Sequence, residues 1–199
     1  PQQLGYGLLG LAFYYYLTRD PAVLQDLVSL KDYIFNAYYN PSLGALQWQL
    51  ESGNGAQFDE MHLVAQLDQM NTYLILLTPI LPEPYQSDWR QTIEAVSRII
   101  INKFYSPSSK LIFLNANSMN DTDLARSGTD FGHNSKGLWM IRFAGLLTGS
   151  QDLVQFAEDN AAGILSRAWI DDCGCWAEGL NPGGSLDANK SWWIYAELD

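Results

Sequence analysis

With 199 residues, 47% of them hydrophobic, the chain is long enough to bury a sizeable core. A net charge of −11 argues against nucleic acid and against an anionic membrane surface, since both need a cationic face. Its apolar runs break well short of a bilayer span, so no transmembrane helix is expected, and 7 Trp with 11 Tyr supply flat faces for core filling or sugar stacking.

Leu4–Thr18 reads as an apolar helix. Arg19-Asp20-Pro21 is a turn, with Asp20 placed to cap the next helix and Pro21 at its first position. That second helix runs to about Tyr39, and Ala45–Leu50 then alternates like a strand. The order returns: a helix over Met61–Leu77, a break at Leu81–Pro84, a helix over Ser87–Phe104 and a strand over Leu111–Leu114.

The polar stretch from Ser127 to Asp130 turns directly into a helix over Gly132–Leu147, with His133 in its first turn. Free backbone N–H groups and the positive end of the helix dipole disfavour an imidazolium there, so a neutral ring able to accept a proton is expected. The other reading is a histidine that caps or packs. Thr148-Gly149-Ser150 separates this helix from a partner over Gln151–Trp169, Asp171–Trp176 gives a third hairpin, and a seventh helix starts near Asn189. Cys173 and Cys175 form a C-x-C, a poor spacing for a disulfide and too few ligands for zinc, so two free thiols are expected.

Offsets expose a repeat of about 65 residues: Pro41 to Pro107, and Gly44 to Gly174 over two steps. Stacked helix–helix–hairpin units predict an all-α protein, an (α/α)6 barrel of which about half is present, as one domain over residues 1–199 with both ends cut. The first helix of each pair lines the inside of such a ring. The inner helices then carry Tyr6, Asp68-Gln69-Met70-Asn71, His133, and Lys190 with Trp192 and Trp193, polar or aromatic where a structural helix would be greasy.

These stretches resemble the N-acylglucosamine 2-epimerase/cellobiose 2-epimerase superfamily. Phe131-Gly132-His133 before Leu138-Trp139-Met140 is similar to its Gly-His helix start, Met70-Asn71-Thr72 to its Met-Asn-Thr segment, and Lys190–Glu197 to its Lys-x-Trp-Trp-x-x-Ala-Glu signature. The resemblance implies a sugar epimerase or isomerase that shifts a proton at the carbon beside the carbonyl through a cis-enediolate. His133 would be one acid/base, and a second histidine would follow the Trp-Trp helix. It also implies Asn71 on a sugar or enediolate oxygen, and Tyr6 and Trp192 or Trp193 stacked on the ring (Trp192 preferred). The sequence carries no metal-ligand cluster and no phosphate-cradling glycine loop, so no metal and no cofactor is expected.

Two departures stand out. Where the family carries an acidic residue that orients the histidine, Asn134-Ser135-Lys136 stands, leaving Lys136 as an oxyanion contact or a solvated charge. Tyr73-Leu74-Ile75 replaces a His-x-His. A glycoside hydrolase or lyase using two of Asp68, Asp130 and Glu178, or an inactive sugar-binding domain, are the alternatives. His62 is expected to cap or sit on the surface. The partner is a small carbohydrate, in a cytoplasmic protein whose oligomeric state the sequence leaves open, a homodimer included.

Overall fold

The computed structural model describes residues 1–50, 61–116 and 129–199, so Ser127 and Gly128 of the loop before His133 lie outside the described residues. Two compact units divide the chain, Pro1–Ile99 and Ile100–Asp199.

In the first unit, helix α1 (Gln2–Thr18) buries Gly5, Leu8, Ala12 and Tyr15, whose spacing of three and four lines one face. Asp20 then accepts the Ala22 N–H at 2.9 Å, with Pro21 at the first helical position, and starts α2 (Pro21–Tyr38). A cap of this kind is worth about 1 kcal/mol. Strands β1 (Tyr39–Asn40) and β2 (Ala45–Leu46) pair with Tyr39 opposite Leu46, shorter than the expected strand over Ala45–Leu50. The helix expected over Met61–Leu77 is α3 (Leu63–Gln69), which passes through a π turn (Met70–Leu74) into α4 (Ile75–Leu77) and a 3-10 turn. Gly5 lets α1 approach it closely, because a Cβ there would lie 3.1 Å from Thr72 Oγ1. Helix α5 (Tyr85–Phe104) buries Trp89, Ile93, Val96, Ile100 and Phe104 along one stripe.

The second unit continues with β3 (Tyr105–Ser106) and β4 (Leu111–Ile112), then β5 (Thr129–Asp130) leading into α6 (Phe131–Thr148). Helix α7 (Gln151–Ala168) folds back on α6, so tightly that a Cβ on Gly145 would come within 2.8 Å of the Ser150 carbonyl and Val154. Helix α7 buries a single stripe. Helix α6 is buried nearly all round its first two turns, as an inner helix must be. A third hairpin, β6 (Trp169–Ile170) and β7 (Cys175–Trp176), follows. The pairs Tyr39–Leu46, Tyr105–Ile112 and Trp169–Trp176 recur in steps of 66 and 64 residues (46, 112, 176), so the expected repeat is present in the backbone.

Three features differ from expectation. Cys173 and Cys175 are disulfide-bonded, with Cα atoms 5.3 Å apart across the hairpin turn, because that turn brings the two side chains to one side. Strands β8 (Gly179–Leu180) and β9 (Leu186–Asp187) join β5 in a small antiparallel sheet. The last helix, α8 (Trp192–Leu198), begins three residues later than Asn189. Lys190 is drawn out of it by the Trp176 carbonyl, to which its ammonium donates at 2.6 Å, and the Asn189 N–H goes to Asp187.

Candidate active site

The inner helices α3 and α6 are each tied to the hairpin before them by one buried amide side chain. In the first unit Gln66 accepts the Leu46 N–H at 3.1 Å and donates to its carbonyl at 2.7 Å, in the manner of a neighbouring strand. In the second, Asn134 accepts the Ile112 N–H at 2.7 Å and donates to the Ile112 carbonyl, Thr129 Oγ1 and the Asp130 carbonyl. Asn134 therefore fixes the start of α6 against β4 and β5. It is a structural clip, and does not stand in for a carboxylate partner of His133.

That carboxylate comes from the other side of the histidine. Asp130 is the N-cap of α6: Oδ1 accepts the His133 N–H at 2.6 Å, while Oδ2 lies 2.7 Å from His133 Nδ1. Both side chains are largely buried, 16% and 19% exposed, so the contact is shielded from solvent. From the sequence the acid is expected after His133, and Asp130 is a candidate only for a hydrolase acid. The available signal was the three-residue spacing of an N-cap aspartate to the histidine whose N–H it caps.

Trp193 forms a wall of the same site. Its ring meets the His133 ring edge to face, centroids 4.9 Å apart. Gly132 is what allows this, since a Cβ there would fall 2.6 Å from Trp193 Cζ3 and 2.8 Å from Ile194 Cγ1. Helix α8 is tied to α6 by Ser135 Oγ donating to the Glu197 carbonyl and Trp139 Nε1 donating to Glu197 Oε2, at 2.7 and 2.9 Å. Trp192, the residue favoured from sequence, is 83% exposed beside it. Lys136 is buried, 7% exposed, and so is no solvated charge.

Among the remaining candidates, Tyr6 stands 44% exposed on α1. Asn71 lies in the π turn of the same unit, half-buried, and its side chain makes no hydrogen bond among the described residues. A π turn of this kind re-aims side chains and is frequent at functional sites. Asp68 and Gln69 beside it are buried in the packing with α1, where Gln2 donates to Asp68 and Gln69 to the Pro1 carbonyl. Glu178 accepts a bond from Ser191 at 2.8 Å. With Asp130 and Asp187 it lines an open hollow of about 360 Å3. His62 caps α3 by position only, without a side-chain cap bond, and stacks on Trp48 with centroids 4.5 Å apart. No cluster of potential metal ligands occurs among the described residues.

No family model and no curated protein sequence matches the chain. Solved structures do. A cellobiose 2-epimerase from Bacillus thermoamylovorans superposes with a TM-score of 0.80 at 20% identity, over 98% of this chain and 52% of that one. A D-mannose isomerase gives 0.77 at 11% identity, over 99% and 52%. A family 76 glycoside hydrolase (mannosidase) from Bacteroides thetaiotaomicron gives 0.62 at 13% identity, over 99% and 52%. The chain thus spans about half the length of the structures it is similar to. Its fold is that of half an (α/α)6 barrel, the architecture on which these sugar epimerases, isomerases and hydrolases are built.

Proposed function

We propose that this chain is half of a sugar 2-epimerase or aldose–ketose isomerase of the N-acylglucosamine 2-epimerase superfamily, forming a single barrel domain with its missing half. The observation that carries the reading is the Asp130–His133 pair. An ionised carboxylate only accepts, so the ring proton sits on Nδ1 and the lone pair of Nε2 is left for substrate. His133 Nε2 takes the proton from the carbon beside the sugar carbonyl, giving a cis-enediolate, and a second acid on the opposite face returns it. That second group belongs to the half of the barrel this chain does not span. Asp130 positions the ring. Trp193 shields it from water on one side, Trp192 offers a stacking face for the sugar, and Lys136 a cation one turn from the base. No cofactor is needed.

The carboxylates support proton transfer over hydrolysis. Hydrolysis wants two acids free to face each other across the bond. Asp130 has both oxygens engaged by His133, Asp68 is buried on Gln2, and Glu178 is held by Ser191. The experiment is incubation of the full-length protein in D2O with mannose, N-acetylmannosamine and cellobiose in turn, followed by NMR at C2. Deuterium that appears at C2 and is lost in His133→Ala supports the reading. Binding without exchange points to an inactive sugar-binding protein, and release of a monosaccharide from cellobiose to a hydrolase.

A further inference from the structure

We propose that the Cys173–Cys175 disulfide is a thiol-exchange site, opened by attack of a thiol reductant on Cys173 with Cys175 leaving as a thiolate held by Lys190. The pair closes the turn between β6 and β7, with Gly174 between them at a φ of 58°. The two sulfurs are unequal. Cys173 is exposed, whereas Cys175 is half-buried at the start of β7. The Lys190 ammonium lies 3.1 Å from Cys175 Sγ and is fixed there by the Trp176 carbonyl at 2.6 Å and the face of Tyr195, 5.9 Å from the ring centre.

Thiol–disulfide exchange goes faster when the departing sulfur carries its negative charge well. A fixed ammonium stabilises that charge on Cys175. The exposed Cys173 is also the sulfur an incoming thiolate reaches first. The reductant's thiolate attacks Cys173 Sγ, the S–S bond breaks, and its electron pair goes to Cys175 Sγ against Lys190. A second reductant thiolate attacks the reductant sulfur of the mixed disulfide, releasing Cys173 as a thiolate and the reductant as its own disulfide. Two thiols are oxidised and one protein disulfide is reduced. The exchange turns a contact between Lys190 and a neutral sulfur into an ion pair. It thereby tightens the grip of the Lys190–Ser191 segment on the hairpin just before the helix that carries Trp193.

The test treats the full-length protein with glutathione at neutral pH, quenches by alkylation at intervals and maps adducts on Cys173 and Cys175 by mass spectrometry. The glutathione adduct should appear on Cys173, and Lys190→Gln should slow reduction by about five-fold or more. Lys190→Arg should restore the rate, since it returns the cation. In Cys175→Ser, offered oxidised glutathione, the adduct should persist on Cys173. An adduct on Cys175, equal labelling of both sulfurs, an unchanged rate in Lys190→Gln, or no adduct in Cys175→Ser would each overturn the proposal.

Discussion

The two units use one device at the entry to their inner helices and diverge at two positions beside it. Taking Gln66 and Asn134 as equivalent, because each clips the strand residue of its own hairpin, the N-cap four residues earlier is His62 in the first unit and Asp130 in the second. The residue just before the clip is Ala65 in one and His133 in the other. In the first unit Gln69, one turn further along, takes up the Pro1 carbonyl and the Tyr73 hydroxyl. The second holds a ring at Nδ1, and its Nε2 has no hydrogen-bond partner among the described residues. A structural repeat becomes a candidate site by exchanging two side chains while the clip stays constant.

That contrast can be broken at graded cost. Asn134→Ala should be the most damaging change, since it leaves the buried Ile112 N–H without its acceptor and takes a donor from the Ile112 carbonyl, Thr129 Oγ1 and the Asp130 carbonyl, of which the Ile112 carbonyl keeps only the Thr129 hydroxyl. A loss of about 3 kcal/mol in urea unfolding is expected, larger than that of Gln66→Ala, which orphans the two Leu46 groups alone. A smaller cost for Asn134 than for Gln66 would deny the clip its place under His133. Next comes Gly132→Ala. Its methyl group must displace Trp193, with a destabilisation of about 1–3 kcal/mol and a shifted tryptophan emission; unchanged emission would place Trp193 away from the histidine.

Asp130 separates capping from chemistry. Asp130→Ala should cost about 1 kcal/mol in thermal or urea unfolding, whereas Asp130→Asn should nearly preserve stability, because asparagine caps as well as aspartate. Both variants should lose C2 exchange in the full-length protein. The smallest effect is confined to alkali. Burial pushes the Tyr73 hydroxyl far above its usual value near pH 10. The folded state keeps that proton where the unfolded chain loses it, so the stabilisation is intact below about pH 10 and declines as pH climbs from there towards the folded value. Tyr73→Phe, which also gives up the bond to Gln69, should flatten the alkaline fall in stability, and a curve parallel to the wild type would contradict the assignment.

Much of the fold was legible because punctuation repeats: Pro41 and Pro107 open two hairpin turns, and Gly44 and Gly174 close two at positive φ. The middle hairpin hid part of the pattern, since Lys110 takes that conformation where the others have glycine. His133, Lys136 and the Trp-Trp pair were found by their place at the helix starts, but their surroundings were not. Asp130 reaches back across a cap, a link that periodicity does not carry. The π turn around Asn71 has no sequence marker, and the choice between Trp192 and Trp193 at His133 turned on where α8 begins, which Lys190 sets by a contact in space. The C-x-C rule failed for a similar reason, because a hairpin turn supplies the approach that two residues of free chain would not.

The central claim is that Asp130 presets His133 as a base at Nε2, and the chain has only two histidines to resolve. Long-range proton–nitrogen NMR of the neutral rings reads this directly, with His133→Gln for assignment. The account predicts His133 protonated at Nδ1 with a bare Nε2, and reversion towards the Nε2-protonated form in Asp130→Asn. A wild-type His133 carrying its proton on Nε2 would contradict it.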